Sequence, residues 1–153
     1  MSRSLIAAAL AASLCLPGAA FANEANEAAL KARQSLMSLI AYNLGPLAQM
    51  AQGRIDYDAE AAQAAADNLF NLTRHSQERL WPEGTAEGQI EGSAARPTIW
   101  ENLDDFARRY GDLQTAAATM QGAAGDGLQS LQGALGGLGG ACQACHQQYR
   151  VSD

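Results

Sequence analysis

Apolar residues recur every three to four positions along four stretches of this chain, the spacing that gathers side chains on one face of a helix. The first stretch covers 24–52, where Leu30, Met37, Ile40, Leu44 and Leu47 form a stripe. Pro46 falls inside it and, lacking an N–H, should kink the helix. Gly53 ends this stretch, and residues 53–57 connect to a second helix that Asp58 is suited to cap. Its stripe is Ala62, Ala65, Leu69, Leu72, Ser76 and Leu80, and it is expected to run to about residue 79, with Trp81-Pro82 as the stop. Residues 82–96 (PEGTAEGQIEGSAAR) hold three glycines and little apolar content. They read as a long surface loop between the two halves of the fold. Pro97 can open a short helical turn carrying Ile99 and Trp100. Asn102, with Asp105 three residues on, resembles the cap of a third long helix reaching about residue 121. Its stripe is Leu103, Phe106, Tyr110, Leu113, Ala117 and Met120. A glycine-bounded turn at 122–125 leads to a fourth helix, from about 126 to 150, with Leu128, Leu131, Leu135 and Leu138. β-branched residues are sparse and no strand alternation occurs, so the fold class is all-α.

The end of the fourth helix carries the most specific chemistry, Cys142-Gln143-Ala144-Cys145-His146. Cys-x-x-Cys-His is the attachment signature of c-type haem. Residues three apart share a helix face, so both thiols can reach one edge of a porphyrin and become thioethers. His146, one step further round, can turn under the ring to the iron. A disulfide between Cys142 and Cys145 would close a short, strained loop. A thioredoxin-like pair would need a βαβ context that this chain lacks. A zinc site needs four ligands, and residues 23–153 offer only Cys142, Cys145, His146 and the distant His75. The same helix contains Gly133, Gly136, Gly137, Gly139 and Gly140, each costing up to about 1 kcal/mol relative to alanine. Either part of this segment is a loop, or the missing side chains let the helix approach the haem and a neighbouring helix closely. The preserved leucine spacing favours the close approach.

The N-terminus fits export. A short positive start with Arg3 precedes the apolar run LIAAALAASLCL, and Ala20-Phe21-Ala22 matches a cleavage site. Residues 1–22 read as a secretory signal peptide that is removed together with Cys15, and residues 23–153 as one domain. The run is too short to span a bilayer, so no membrane anchor is expected. Because c-type haem is attached outside the cytoplasmic membrane, the expected location is the bacterial periplasm. The chain has 10 Lys and Arg against 16 Asp and Glu, a formal net charge of −6, and loss of Arg3 with the leader makes it one unit more negative. This balance argues against nucleic acid and is compatible with docking to a basic redox partner.

With these features in order, the chain resembles the cytochrome c′ family, the class II c-type cytochromes. Four local matches carry the resemblance: Lys31 to Met37 (KARQSLM), Pro82-Glu83-Gly84-Thr85, Arg96-Pro97-Thr98-Ile99-Trp100, and the haem helix ACQACHQQYR from Ala141 to Arg150. The resemblance implies an antiparallel up-down-up-down four-helix bundle enclosing one haem c, and a homodimer formed through the first two helices. It gives Cys142 and Cys145 the covalent links and His146 the proximal ligand position. It places Arg33 near the haem propionates, with Gln34 as a haem neighbour, Ser93 near the haem edge, and Arg150 beside the proximal face. On the residues alone, Arg33 also reads as a surface charge, and Arg150 as a solvated cation at a helix C-terminus.

Met37 lies four residues after Arg33, on the same helix face, at the family position covering the distal side of the iron. Three outcomes follow from it. A non-ligating Met37 leaves a five-coordinate, high-spin iron that binds nitric oxide or carbon monoxide. A ligating Met37 supplies a soft thioether and makes a low-spin His/Met electron carrier. As simple core filler, it decides nothing. A haem peroxidase is the remote alternative, because peroxide cleavage needs a distal acid–base group. This face offers Met37, Ile40 and Leu44 with Arg33 at its margin, so a non-enzymatic protein is expected. His75 reads as a flanking residue of the second helix, and Trp81, Trp100, Phe70, Phe106 and Tyr110 as core or haem-edge packing.

Overall fold

The computed structural model describes residues 18–152, with side chains from residue 22. The expected leader thus lies outside the described residues up to position 17, and α1 begins at Gly18. Five helices follow in order: α1 (Gly18–Ala51), α2 (Ala59–Thr73), the short α3 (Thr98–Glu101), α4 (Leu103–Gln121) and α5 (Leu128–Tyr149). α1 packs against α2 and α5, and α4 packs against the same two, so the long helices close a ring around one core. Cross-helix hydrogen bonds give the directions. Gln63 near the start of α2 reaches Gln121 O at the end of α4, while Thr73 O at the end of α2 accepts from Gln114. Arg109 pairs with Ala144 and Asp105 with Tyr149, so α4 and α5 are antiparallel as well. The result is an antiparallel four-helix bundle.

Its core is the product of the apolar stripes. Leu47, Leu69, Met120, Leu131 and Leu138 are fully buried, and each such side chain contributes about 1.5–3 kcal/mol. Three stripe residues do not join the core, Ser76, Leu103 and Leu128. Leu103 is 54% exposed and Leu128 is also exposed, because each stands in the first turn of its helix, beyond the end of the packed neighbours. Asp58 caps α2 through a side-chain bond to Ala61 N (2.9 Å). Asn102 precedes α4, but its side chain donates back to Thr98 O and makes no cap bond. α1 continues through Pro46 as helix. The Tyr42 carbonyl, deprived of its usual donor, lies at a position where the residue is 78% exposed, and water can serve it.

The largest departure lies after α2. The helix ends at Thr73, well short of residue 79, so Ser76 and Leu80 are not helical. Gln114 on α4 takes the Thr73 carbonyl (2.9 Å), a tertiary partner for a terminal group that the helix itself leaves unpaired. Beyond it the chain turns so that Leu80 still reaches the core. The segment 82–96 is also no mere surface loop, for Thr85, Ala86, Ser93 and Ala95 are buried. Gly84 and Gly92 adopt φ of 82° and 79°, which let it fold back on itself. It meets the end of α5 through a bridge between Ala95 and Arg150, with Arg96 N donating to Tyr149 O (2.9 Å) and Val151 N to Ala94 O (2.9 Å). Among the described residues, no helix is long and apolar enough to cross a membrane.

Candidate haem site

A cavity of about 830 Å³ opens between α1, α4, α5 and the segment 81–99, within the size range of cofactor pockets. Met37, Ile40, Ala41 and Leu44 line its α1 wall, Phe106, Tyr110 and Leu113 its α4 wall, and Cys142, Cys145 and His146 its α5 wall. Trp81 and Ile99 close the side nearest the loop. The Cys-x-x-Cys-His spacing thus delivers two thiols and an imidazole to one wall. The cysteines are not joined to each other. Burial pushes both thiols up, keeping them protonated. The His146 pKa is lowered, first by burial and then by the Arg150 charge, which favours the neutral imidazole that binds metal. Among the described residues, no three His, Cys, Asp or Glu side chains gather to hold a separate metal ion.

Arg33 is not a surface charge: it is 4% exposed. Its guanidinium donates to Thr85 O (2.6 Å), Thr85 Oγ1 (2.7 Å), Ser93 Oγ (2.8 Å) and Leu80 O (3.3 Å), and lies 4.7 Å over the Trp81 ring. Burial lowers its pKa, yet guanidinium stays charged at any ordinary pH. No carboxylate among the described residues pairs with it. It still lines the cavity, as do Gln34 and Arg150. Gln34 also holds the loop, donating to Gly92 O (2.9 Å). Arg150 sits just past α5 in extended backbone, its N–H on His146 O (3.0 Å).

Ser93 lies apart from these residues. It is absent from the cavity wall, and its hydroxyl is turned to Thr85 O (2.7 Å) and Arg33. His75 and Phe70 also stand outside the cavity. The close-approach reading of the α5 glycines is not met either. A Cβ placed on Gly133, Gly136, Gly137, Gly139 or Gly140 would find no neighbour within 4 Å, and none of the five lines the cavity. The segment is nevertheless helix throughout. Three residues were passed over in the sequence. Tyr149, three positions after His146, was recoverable from helical spacing. Arg109, joined to the site only through tertiary bonds, carried no local signal, and Thr85 stood in a matched loop segment without a role of its own.

The residues present fit a haem. Two thiols and an imidazole share one wall, the cavity is mainly apolar, and its rim holds a buried cation without an acid.

The family model described as Cytochrome C′ matches residues 28–150. Cytochrome c-554 of Cereibacter sphaeroides is 48% identical over 127 residues, covering 83% of this chain and 96% of that protein. A solved cytochrome c′ from Rhodobacter spheriodes superposes with a TM-score of 0.81 at 38% identity, covering 84% of this chain and 98% of the other. A nitric oxide complex of a cytochrome c prime variant from Alcaligenes xylosoxidans superposes with a TM-score of 0.72 at 32% identity, covering 83% and 97%.

Proposed function

Because the chain belongs to the cytochrome c′ family, we propose that it is a periplasmic haem protein that carries electrons and binds nitric oxide or carbon monoxide, and that it is not an enzyme. Its cofactor is haem c, bound covalently through Cys142 and Cys145. When bound, that group supplies an iron that exchanges one electron and accepts a diatomic gas or a soft axial donor. His146 is the axial ligand on the α5 side. Arg33 offsets the charge of a propionate, a role supported by its burial without a carboxylate partner. Arg150 stands beside the proximal face, one turn from His146.

The observation that carries this reading is the α1 wall. Beside its polar residues Arg33, Gln34 and Ser38, Met37, Ile40, Ala41 and Leu44 present apolar groups there, and the wall has neither histidine nor carboxylate. Its apolar stretch admits a small neutral gas, and without an acid–base group the wall gives peroxide cleavage no catalyst. The likeness to a protein solved with nitric oxide supports the same ligand class. A second reading rests on the Met37 thioether in that wall, which would serve as the sixth ligand of a low-spin electron carrier. Absorption and EPR spectra of the ferric protein separate the two. The first reading expects high-spin iron and nitric oxide binding in the wild type. The second expects low-spin iron that becomes high-spin and gas-reactive in Met37→Ala. Failure of both proteins to bind nitric oxide would sink the gas-binding function.

An acidic surface suits a basic redox partner. Homodimerisation through α1 and α2 is supported by Leu39 (50% exposed) and Tyr42, apolar side chains on the outer face of α1. Sedimentation should give a dimer mass, and Tyr42→Glu should give a monomer.

A further inference from the structure

α5 carries the proposed axial histidine, yet its middle is rich in glycine. Its five glycines lack side chains and meet nothing within 4 Å. Leu131 before them, and Ala134 and Leu138 among them, are the buried side chains of this stretch. Downstream, the haem-bearing turn is gripped by three residues that the proposed function leaves unassigned. Tyr149 donates its hydroxyl to Asp105 Oδ2 (2.7 Å), and Arg109 Nε donates to the same oxygen (2.7 Å). Arg109 Nη1 then reaches Ala144 O (3.0 Å), inside the Cys142–His146 motif itself. The Tyr149 ring stands edge-on to Phe106 on α4, with centroids 5.3 Å apart. Three donors on one carboxylate, from Arg109, Tyr149 and Arg108, hold Asp105 ionised well below the usual carboxylate range. One anion on α4 therefore fixes both Tyr149 and Arg109, and through them the turns on either side of His146.

We propose that Asp105, Arg109 and Tyr149 form a clamp from α4 that positions His146 and so sets the strain in its bond to the iron. This rests on the reading of His146 as the axial ligand. None of the three residues need touch the iron. They are positioning residues, acting through the backbone of α5. Hydrogen bonds to charged groups are the strong ones in proteins, so removing one should free the turn measurably.

The test uses the haem-loaded Met37→Ala protein, in which no thioether can occupy the opposite axial position. The iron–histidine stretch of the ferrous form is read by resonance Raman. Tyr149→Phe and Asp105→Asn should each shift this band, and should speed amide exchange at residues 145–150 roughly tenfold. Arg108→Ala is the control. Arg108 bonds Asp105 Oδ1 (2.6 Å) and Asp112 but does not reach α5, so the band should stay. A band unmoved in both clamp variants overturns the clamp while leaving His146 as the ligand. Absence of the band in the Met37→Ala parent overturns the ligand assignment, and the clamp with it. Should Asp105→Asn fail to fold, Tyr149→Phe alone decides, since it keeps the ring and removes only the hydroxyl.

Discussion

Arg33→Met should destabilise the protein by about 3 kcal/mol, a magnitude that comes from the partners it leaves behind. Four acceptors depend on the guanidinium, but not equally. Thr85 O keeps a bond from Ser93 (2.7 Å), and Thr85 Oγ1 keeps its own donation to Pro82 O (2.8 Å). Ser93 still donates to Thr85. Leu80 O keeps nothing among the described residues. One orphaned buried carbonyl costs about 1–3 kcal/mol, and three weakened sites add about 1 kcal/mol each. Loss of the contact with the Trp81 face adds about 1 kcal/mol. Against this stands relief from holding a cation in the interior, worth several kcal/mol, and the remainder is about 3 kcal/mol. In a domain of this size that lowers the melting temperature by roughly 10 °C. Guanidinium denaturation followed by far-UV circular dichroism and by haem absorbance measures it. Arg33→Lys should recover only part of the loss, because one ammonium cannot fork to acceptors on Leu80, Thr85 and Ser93 together. Stability of Arg33→Met within about 0.5 kcal/mol of wild type would refute the reasoning, because the desolvation cost would then cancel the bonds and the loop would be held by other contacts.

Acid–acetone extraction should leave the haem with the protein in wild type and release it from the double variant Cys142→Ala/Cys145→Ala; release from the wild type would refute covalent attachment. Leu131→Ala, at a site of zero exposure between the helices, should cost about 2–5 kcal/mol in the same denaturation assay. Tyr110 offers a pH test. Its hydroxyl is buried without a hydrogen-bond partner, and burial pushes the phenol up to about 12 from the usual 10, a rise that the nearby Gln77 side chain partly offsets. A raised folded pKa favours the protonated form, so this contribution is full below pH 10 and is lost as pH rises from about 10 to 12. Tyr110→Phe should flatten that alkaline limb, and an unchanged limb would place the titration elsewhere.

What the chain discloses in advance depends on the range of the interactions involved. The long helices were legible because each buries a stripe at helical spacing, a purely local record. The end of α2 was not, because its last carbonyl is satisfied by Gln114, 41 residues away on another helix. Nothing near Thr73 announces this. The segment 82–96 misled for the same reason. Its composition is that of a solvated loop, and it becomes interior through tertiary bonds, four of them from the Arg33 guanidinium on α1 and others from the end of α5. The site divides along the same line. Cys142, Cys145 and His146 are set by spacing within one turn, and Arg33 and Met37 by spacing along one helix, and all five line the cavity. Ser93 had only likeness of position to mark it, and its hydroxyl is held by Arg33 and Thr85 O.

The α5 glycines carry this contrast furthest. They read as the signature of a surface pressed against something flat, yet they face open space in the folded chain. Their cost therefore has no local return. Five glycines in a helix interior lose at most about 5 kcal/mol against alanine. The burial of Leu131 and Leu138 alone contributes about 3–6 kcal/mol, and Ala134 and the partly buried Leu135 add to it, enough to hold the segment helical. A helix with so glycine-rich a middle does not by its own stiffness fix the position of a histidine at its far end. That position must come from neighbours, and the structure supplies two sets. The loop bonds the chain at Tyr149, Arg150 and Val151, and α4 holds it through Asp105 and Arg109. Restoring alanine at Gly136 and Gly137 should thus stabilise the protein by about 1–2 kcal/mol while leaving the haem spectrum unchanged. A spectral shift in that variant would show that the glycines, and not the α4 clamp, govern the proximal side.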